Sequence, residues 1–348
     1  MALLDAHYEQ VRAQRGYDDV DVEFGSRSAS VNRRRFAFTE DAATLRDATP
    51  AETLVSVGIS LTGTPHVGTL GQLETAVALQ RAGFDVQLIL ADLVVYNGRG
   101  LALETARDRA RRYRELANAV GFDEGRGRIQ IQSRNRDVLH SAFLLARDYY
   151  RDQPDPDYES TAFETELADA YDDVETPSDA SALSQRLVGL LLVADNVHPL
   201  LTNEYERVVL ALGADNVGMA REIDAVRERA GVSGTVVGLF TRLVGGRNGV
   251  PKMSKSIPES DVHLDMTPGR IRKLVSNPEL DADHPAESIP YQMMRLASPF
   301  SANRLEEVRA ACLADSETWD AARREYADYL ADLTLAWQET ARDGPAAP

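Results

Sequence analysis

Apolar residues along the chain fall into short β-branched runs alternating with longer stretches of helical spacing. The first clear run, Thr53-Leu54-Val55-Ser56-Val57-Gly58-Ile59, predicts a buried strand. It breaks into Ser60-Leu61-Thr62-Gly63-Thr64-Pro65-His66-Val67-Gly68, a loop marked by glycine and proline. A helix is expected from about Thr69 to Ala82, with Leu73, Val77 and Leu79 among its apolar positions and Gly83 ending it. The run from Val86 to Leu93 predicts a second strand. Strand, glycine loop, helix and strand make a βαβ unit, which implies a parallel sheet with helices on its faces.

The same alternation continues. Residues 101–120 have helical spacing and carry Arg107, Arg109, Arg111, Arg112 and Arg114, either a solvated face or a local patch for RNA. Ile129-Gln130-Ile131-Gln132 reads as another strand. Residues 151–181 are acidic and turn-rich, with Pro154, Pro156 and Pro177, and read as a surface insertion. An apolar stretch at Leu187–Val197 follows, then a strand at Val208–Gly213 and a helix from about Val217 to Ala230. From about Thr267 onward the spacing is helical, over Pro268–Val275, Ala302–Leu313 and Glu317–Arg342. Residues 1–50 are polar and mixed, with some helix. The expected organisation is an N-terminal extension at 1–50, a catalytic domain at 51–280 and a C-terminal helical domain at 281–348.

Composition narrows the setting. No window of about 18 apolar residues is present, so no membrane-spanning helix is expected. The N-terminus lacks a basic stretch followed by an apolar one, so no signal peptide is read and a cytoplasmic location is the default. Cys312 is the single cysteine, which rules out an internal disulfide and disfavours a cysteine-based metal cluster. The net charge of −17 opposes a nucleic-acid backbone at low salt. Salt screens that repulsion within about 8–10 Å, so positive charge need only be local.

Lysine usage locates that charge. Of 38 basic residues only three are lysine, and two of these lie in Lys252-Met253-Ser254-Lys255-Ser256. Gly245-Gly246, Asn248-Gly249-Val250-Pro251 and Pro258 flank the pentapeptide and imply a mobile loop. A lysine meets phosphate as a mobile point charge, where arginine makes a fixed fork. Two ammoniums on one loop suit a pyrophosphate leaving group. Upstream, the loop Gly63–Thr69 joins a strand to a helix, where backbone N–H groups bind anions and His66 can donate to a phosphate. Read alone, a His-x-Gly after a strand is a weak signal; the pair is stronger.

With both loops in hand, the chain resembles the class I aminoacyl-tRNA synthetases. His66-Val67-Gly68-Thr69 is similar to their His-Ile-Gly-His signature, with Thr69 in place of the second histidine. Lys252–Ser256 matches their Lys-Met-Ser-Lys-Ser signature in full. Three further segments resemble the tryptophan and tyrosine branch: Gly58-Ile59-Ser60-Leu61-Thr62-Gly63, Leu192-Val193-Ala194-Asp195 and Gly213-Ala214-Asp215-Asn216. Ser256-Ile257-Pro258 leans toward its tryptophan member.

The resemblance implies a Rossmann-like, doubly wound parallel α/β sheet followed by a short C-terminal helical domain. It implies ATP with Mg2+, an amino acid with tryptophan favoured, and tRNA as an acceptor. It also implies a homodimer. Catalytic roles fall on His66, Lys252 and Lys255. ATP contacts fall on Gly63, His66, Gly68, Thr69, Asp215, Lys252, Met253, Ser254, Lys255 and Ser256. Amino-acid contacts fall on Gly58, Ser60, Leu192, Asp195 and Asn216, with Asp195 facing the polar atom of an aromatic side chain. No protein residue is assigned to metal, since the phosphates carry the magnesium. Ser56 and the leucines near 190 imply a small, less polar pocket, which argues against tyrosine. Only 92 residues follow Ser256, short for the helical domain that reads an anticodon in the family. An enzyme that activates another amino acid, or loads another acceptor, therefore stays open.

Overall fold

The computed structural model describes residues 2–150, 157–172, 181–282, 284–314 and 316–341. In chain order its main elements begin with α1 (Leu3–Arg15), α2 (Ala29–Arg35), β1 (Phe36–Thr39), α3 (Ala42–Arg46) and β2 (Thr53–Ser60). Next come α4 (Val67–Arg81), β3 (Asp85–Ala91), α5 (Asp92–Arg99), α6 (Leu103–Val120), β4 (Gly127–Ile131) and α7 (Arg136–Leu145). They are followed by α8 (Ala162–Asp172), α9 (Ala182–Leu201), β5 (Arg207–Gly213), α10 (Met219–Arg229) and β6 (Thr235–Thr241). Helices α11 (Pro268–Val275), α12 (Ile289–Leu296), α13 (Ala302–Ala314) and α14 (Glu317–Thr340) complete the order.

The sheet runs β1-β6-β5-β2-β3-β4. Its pairings are parallel except that of β1, which lies antiparallel on β6 at the edge. The chain winds outward from β2 through β3 to β4, then crosses back to β5 and β6. The order therefore reverses between β2 and β5, where the carboxyl ends of parallel strands open a crevice. Alternation along each strand feeds two cores. Val55, Val57, Ile59, Leu88 and Leu239 pack with α4, α6 and the C-terminal helices. Leu54, Val208, Leu210 and Phe240 pack with α1, α9 and α10 on the other face.

Several expectations change in detail. The second strand ends at Ala91 rather than at Leu93. Asp92, fully buried, accepts from the amides of Leu93 (3.0 Å) and Ser133 (2.9 Å) and turns the chain into α5. Strands β1 and β6 are absent from the pattern reading: β1 has four residues, and Gly238 interrupts the apolar run of β6. Residues 2–50 do more than extend the chain, since β1 enters the sheet and Phe24, Phe36, Phe38 and Leu45 are buried. In the acidic insertion, 151–156 and 173–180 lie outside the described residues. The part between them is not merely surface: α8 buries Phe163 and Leu167, and Phe163 sits 4.5 Å from the ring of His7.

The C-terminal helices dock on the sheet layer through α6. Trp337 meets Tyr113 edge to face at 5.4 Å, and Arg112 lies 3.8 Å over the Trp337 ring. The arginine stripe of α6 is thereby largely engaged. Arg112 also binds Thr340, Arg114 pairs with Glu124, and Arg109 donates to the carbonyl of Leu61. Among the described residues no helix is long and apolar enough to cross a membrane.

Candidate active site

The loop after β2 is held by its neighbours before any ligand is considered. The Val67 amide donates to Val262 O (3.0 Å) and the Leu264 amide to Pro65 O (2.9 Å), so a short two-stranded contact with residues 262–264 fixes the turn. His66 caps α4, and its Nδ1 accepts the Thr69 amide at 3.2 Å. Burial, then the charges of Lys255 and Lys252, hold the imidazole well below its usual range. A neutral ring whose Nδ1 accepts carries its proton on Nε2, which makes that nitrogen a donor. Gly68 leaves room for the ring: a Cβ there would lie 2.5 Å from His66 Cε1. Thr69 Oγ1 is buried on the same wall with no partner among the described residues.

The lysine loop, expected to be mobile, is tied down at several points. Met253 is buried in the core, and its amide donates to Val244 O (3.1 Å). The Ser254 amide donates to Ser260 Oγ (3.1 Å), and the Ser256 amide to Ser254 Oγ (3.2 Å). One apolar side chain in the pentapeptide thus anchors a segment that glycine and proline mark as a loop. Lys252 pairs with Asp215 at the end of β5. Burial pulls its pKa down, but Asp215 and Tyr171 outweigh this and raise it. Among the described residues Lys255 makes no such ion pair. It donates to the Ser60 carbonyl and lies 5.2 Å over the Tyr113 ring. Burial, then Arg109, lowers its pKa to about 7. Asp261 acts on it with the opposite charge, its own carboxyl raised by burial to about 7.

These groups surround a cleft of about 420 Å³ at the reversal between β2 and β5. His66, Gly68, Thr69, Asp215, Asn216, Ser60 and all five residues from Lys252 to Ser256 line it. Gly63 sits just behind: a Cβ there would lie 3.4 Å from Lys255 Cβ. A rigid pocket of this size with two ammoniums, a neutral imidazole donor and a helix N-terminus can hold a polyphosphate and stabilise charge growing on it. Magnesium fits as a cation brought on the phosphates, because Asp215 is already paired with Lys252. Among the described residues no group of three or more His, Cys, Asp or Glu is placed to hold a metal ion.

Several wall residues carry no sequence signal of their own. Tyr171 donates or accepts at Ser254 Oγ (3.1 Å) from the acidic segment, and Arg99, Gln72, Arg242 and Leu296 complete the lining. Tyr113 supports the loop from behind through its hydroxyl on Gly63 O (2.8 Å). Tyr113, Tyr171 and Leu296 come from elements remote in sequence from both signature loops.

The amino-acid candidates divide. Ser60 and Asn216 face the cleft, and Gly58 lies on β2 two residues before Ser60. Leu192 and Asp195, on α9, are not on the cleft wall. The Asp195 carboxylate is buried and takes the side-chain amides of Gln130 (2.5 Å) and Gln132 (2.6 Å) on the β4 side. Burial raises it to about 7 although these hydrogen bonds oppose the shift. Gln87 links the Asp195 carbonyl (2.8 Å) to Ser56 Oγ (3.2 Å). The surroundings of Ser56 are therefore more polar than the leucine-rich segment suggests, because β3, β4 and the turn after β4 supply Gln87, Gln130 and Gln132.

Known proteins match this picture. A model of the class I tRNA synthetases (W and Y) matches residues 50–148, which include the His66 loop. A tyrosine–tRNA ligase of Halorubrum lacusprofundi is 33% identical over 140 residues, 40% of this chain and 39% of that protein. A tryptophan–tRNA ligase of Thermoplasma acidophilum is 33% identical over 92 residues, 26% of this chain and 21% of that one. The matched stretches thus span well under half of these relatives. A tryptophanyl-tRNA synthetase of Encephalitozoon cuniculi, solved with tryptophan, shares the fold at a TM-score of 0.71 and 15% identity, over 97% of this chain and 95% of that one. Family model and aligned relatives point the same way, and the chain is similar to the tryptophan and tyrosine branch of the class I tRNA synthetases, whose fold it shares.

Proposed function

We propose that this chain activates an amino acid with ATP and transfers it to a tRNA. The observation that carries the reading is the convergence of His66, Lys252 and Lys255 on one cleft at the sheet reversal. In the first step a carboxylate oxygen of the amino acid attacks the α-phosphorus. The bond to the bridging oxygen breaks and pyrophosphate leaves. His66 Nε2 and the first amides of α4 hold the phosphates, and Gly68 lets the nucleotide lie close to the backbone. Lys252 and Lys255 stabilise the charge that collects on the leaving group. Magnesium carried on the nucleotide would supply further neutralisation of that charge. Asp215 keeps Lys252 in place, and Asn216 and Ser60 flank the amino acid. In the second step the acyl group passes to the 3′ end of the tRNA and AMP leaves.

Tryptophan is the favoured amino acid, on the Ser-x-Pro continuation of the lysine loop and the absence of a tyrosine at position 56. The polar network of Gln87, Gln130, Gln132 and Asp195 supports a second reading, in which a more polar amino acid is activated. In either case Asp195 and Leu192 act from behind the pocket. A homodimer belongs to the same proposal. Phe143 and Leu144, 81% and 55% exposed on α7, support a face that a second copy covers, and sedimentation tests it.

The test is amino-acid-dependent exchange of pyrophosphate into ATP, screened over the common amino acids at low and high salt. Exchange with tryptophan alone is expected, with Lys255→Ala lowering it by about 10²-fold or more. Exchange with a different amino acid overturns the specificity, and wild-type turnover in Lys255→Ala removes the role given to that ammonium.

A further inference from the structure

A second cavity, of about 320 Å³, opens where α2, α4, α12 and the start of α13 meet. Five arginines line it, Arg27, Arg34, Arg35, Arg81 and Arg295, against one carboxylate, Glu74. In a chain of net charge −17 this is a local reversal of sign. Most of that charge is not neutralised within the protein. Arg34 pairs with Glu306 (2.7 Å). Arg35 donates only to neutral oxygens, Thr75 Oγ1 (3.0 Å) and Leu296 O (2.8 Å), and Arg27 to Asn32 Oδ1 (2.8 Å). Arg295 and Arg81 make no hydrogen bond or ion pair with a described residue, and Arg295 Nε is buried without a partner. Glu74 is weakened as a counter-ion, because burial raises its pKa and Tyr329 already occupies its Oε1 (2.7 Å).

Guanidiniums gathered in a partly enclosed space repel one another unless an anion joins them. Their planar forks match phosphate oxygens, and the N-terminus of the 13-residue α13 adds amide donors. The remaining wall is apolar, with Val31, Phe300 and Leu305. The volume lies at the small end of ligand pockets, about 300–1,000 Å³. A nucleic-acid backbone cannot reach the buried Nε of Arg295 in such a space as readily as a small molecule can. The cavity is distinct from the catalytic cleft: Arg295 lines one and its neighbour Leu296 lines the other, on either side of α12.

We propose that this cavity binds a small organic phosphate, with its negative charges on Arg81, Arg295 and Arg27 and its apolar body against Phe300 and Leu305. Thermal unfolding of the full chain, at constant ionic strength in chloride, tests this with three probes: inorganic phosphate, phenyl phosphate and a short single-stranded RNA. Phenyl phosphate is expected to raise Tm by several degrees, and inorganic phosphate by less. The increment should survive in a Lys252→Ala, Lys255→Ala variant and vanish in an Arg81→Gln, Arg295→Met variant. Should the second variant fail to fold, Arg81→Gln alone, at an exposed position, is expected to weaken phenyl phosphate binding about tenfold by calorimetry. An increment that disappears with the catalytic lysines, no increment with either phosphate, or one produced by RNA alone overturns the proposal.

Discussion

At the scale of single residues, the cleft is built around charge that a ligand completes. Lys255 is half-buried beside Arg109, and desolvation followed by that like charge lowers its pKa to about 7. A bound polyphosphate favours the charged form and raises that pKa. ATP binding above about pH 7 should therefore take up a proton, and affinity should fall as pH rises from about 7 to about 9. Calorimetry at pH 8 in buffers of different ionisation enthalpy measures this directly. Uptake approaching about one proton is expected, and most of it should disappear in Lys255→Met. Gly68 makes a second prediction. A methyl group there meets the His66 ring, so Gly68→Ala should lower pyrophosphate exchange by about 10- to 100-fold with an unchanged circular dichroism spectrum. Wild-type exchange in that variant would show that the ring position is immaterial. His66 and both lysines were legible in the sequence because loop chemistry constrains residue type. Tyr113 and Tyr171 were not, because a tyrosine on a helix looks the same whether it faces a core, solvent or a cleft.

At the scale of elements, the pair α6 and α14 connects the C-terminal unit to the loop after β2. Trp337 of α14 packs on Tyr113 of α6, whose hydroxyl holds Gly63 O, and its own Nε1 donates to Asp265 Oδ1 (2.8 Å). Trp337→Ala should therefore act twice. Loss of a buried indole should cost about 3–5 kcal/mol, read by urea unfolding. The same change should reduce pyrophosphate exchange under conditions where the chain remains folded. Full activity in a folded Trp337→Ala chain would mean that α6 holds the loop without help. The long elements with clean periods, β2, α4, β3, β5 and α14, were readable from hydrophobic spacing. The short edge strand β1 and the glycine-broken β6 were not, since their place in the sheet is set by pairing with neighbouring strands rather than by an internal pattern.

At the scale of the whole molecule, the net charge of −17 is spread over a surface whose basic groups are largely paired or gathered into cavities. Self-repulsion of this kind opposes the compact state, and salt relieves it by shortening the screening length from about 10 Å at 0.1 M to about 3 Å at 1 M. The melting temperature should rise by several degrees across that range of potassium chloride. A flat or falling profile in a calorimetric series would mean that the surface ion pairs, which salt weakens, contribute more than the repulsion does.

The sequence by itself determined the local chemistry: a strand that breaks into a glycine loop, a histidine at a helix start, and two lysines preserved where arginine is otherwise the rule. Those features follow from residue type and spacing along a few consecutive positions. Tertiary structure decided what the long-range partners do. It paired Lys252 with Asp215, left Lys255 without an ion pair among the described residues, and placed the Asp195 carboxylate on Gln130 and Gln132. It also gathered five arginines from α2, α4, α12 and the preceding loop around one cavity. The reason is physical: burial and electrostatic partnership are properties of the space between elements, and no single stretch of chain contains that space.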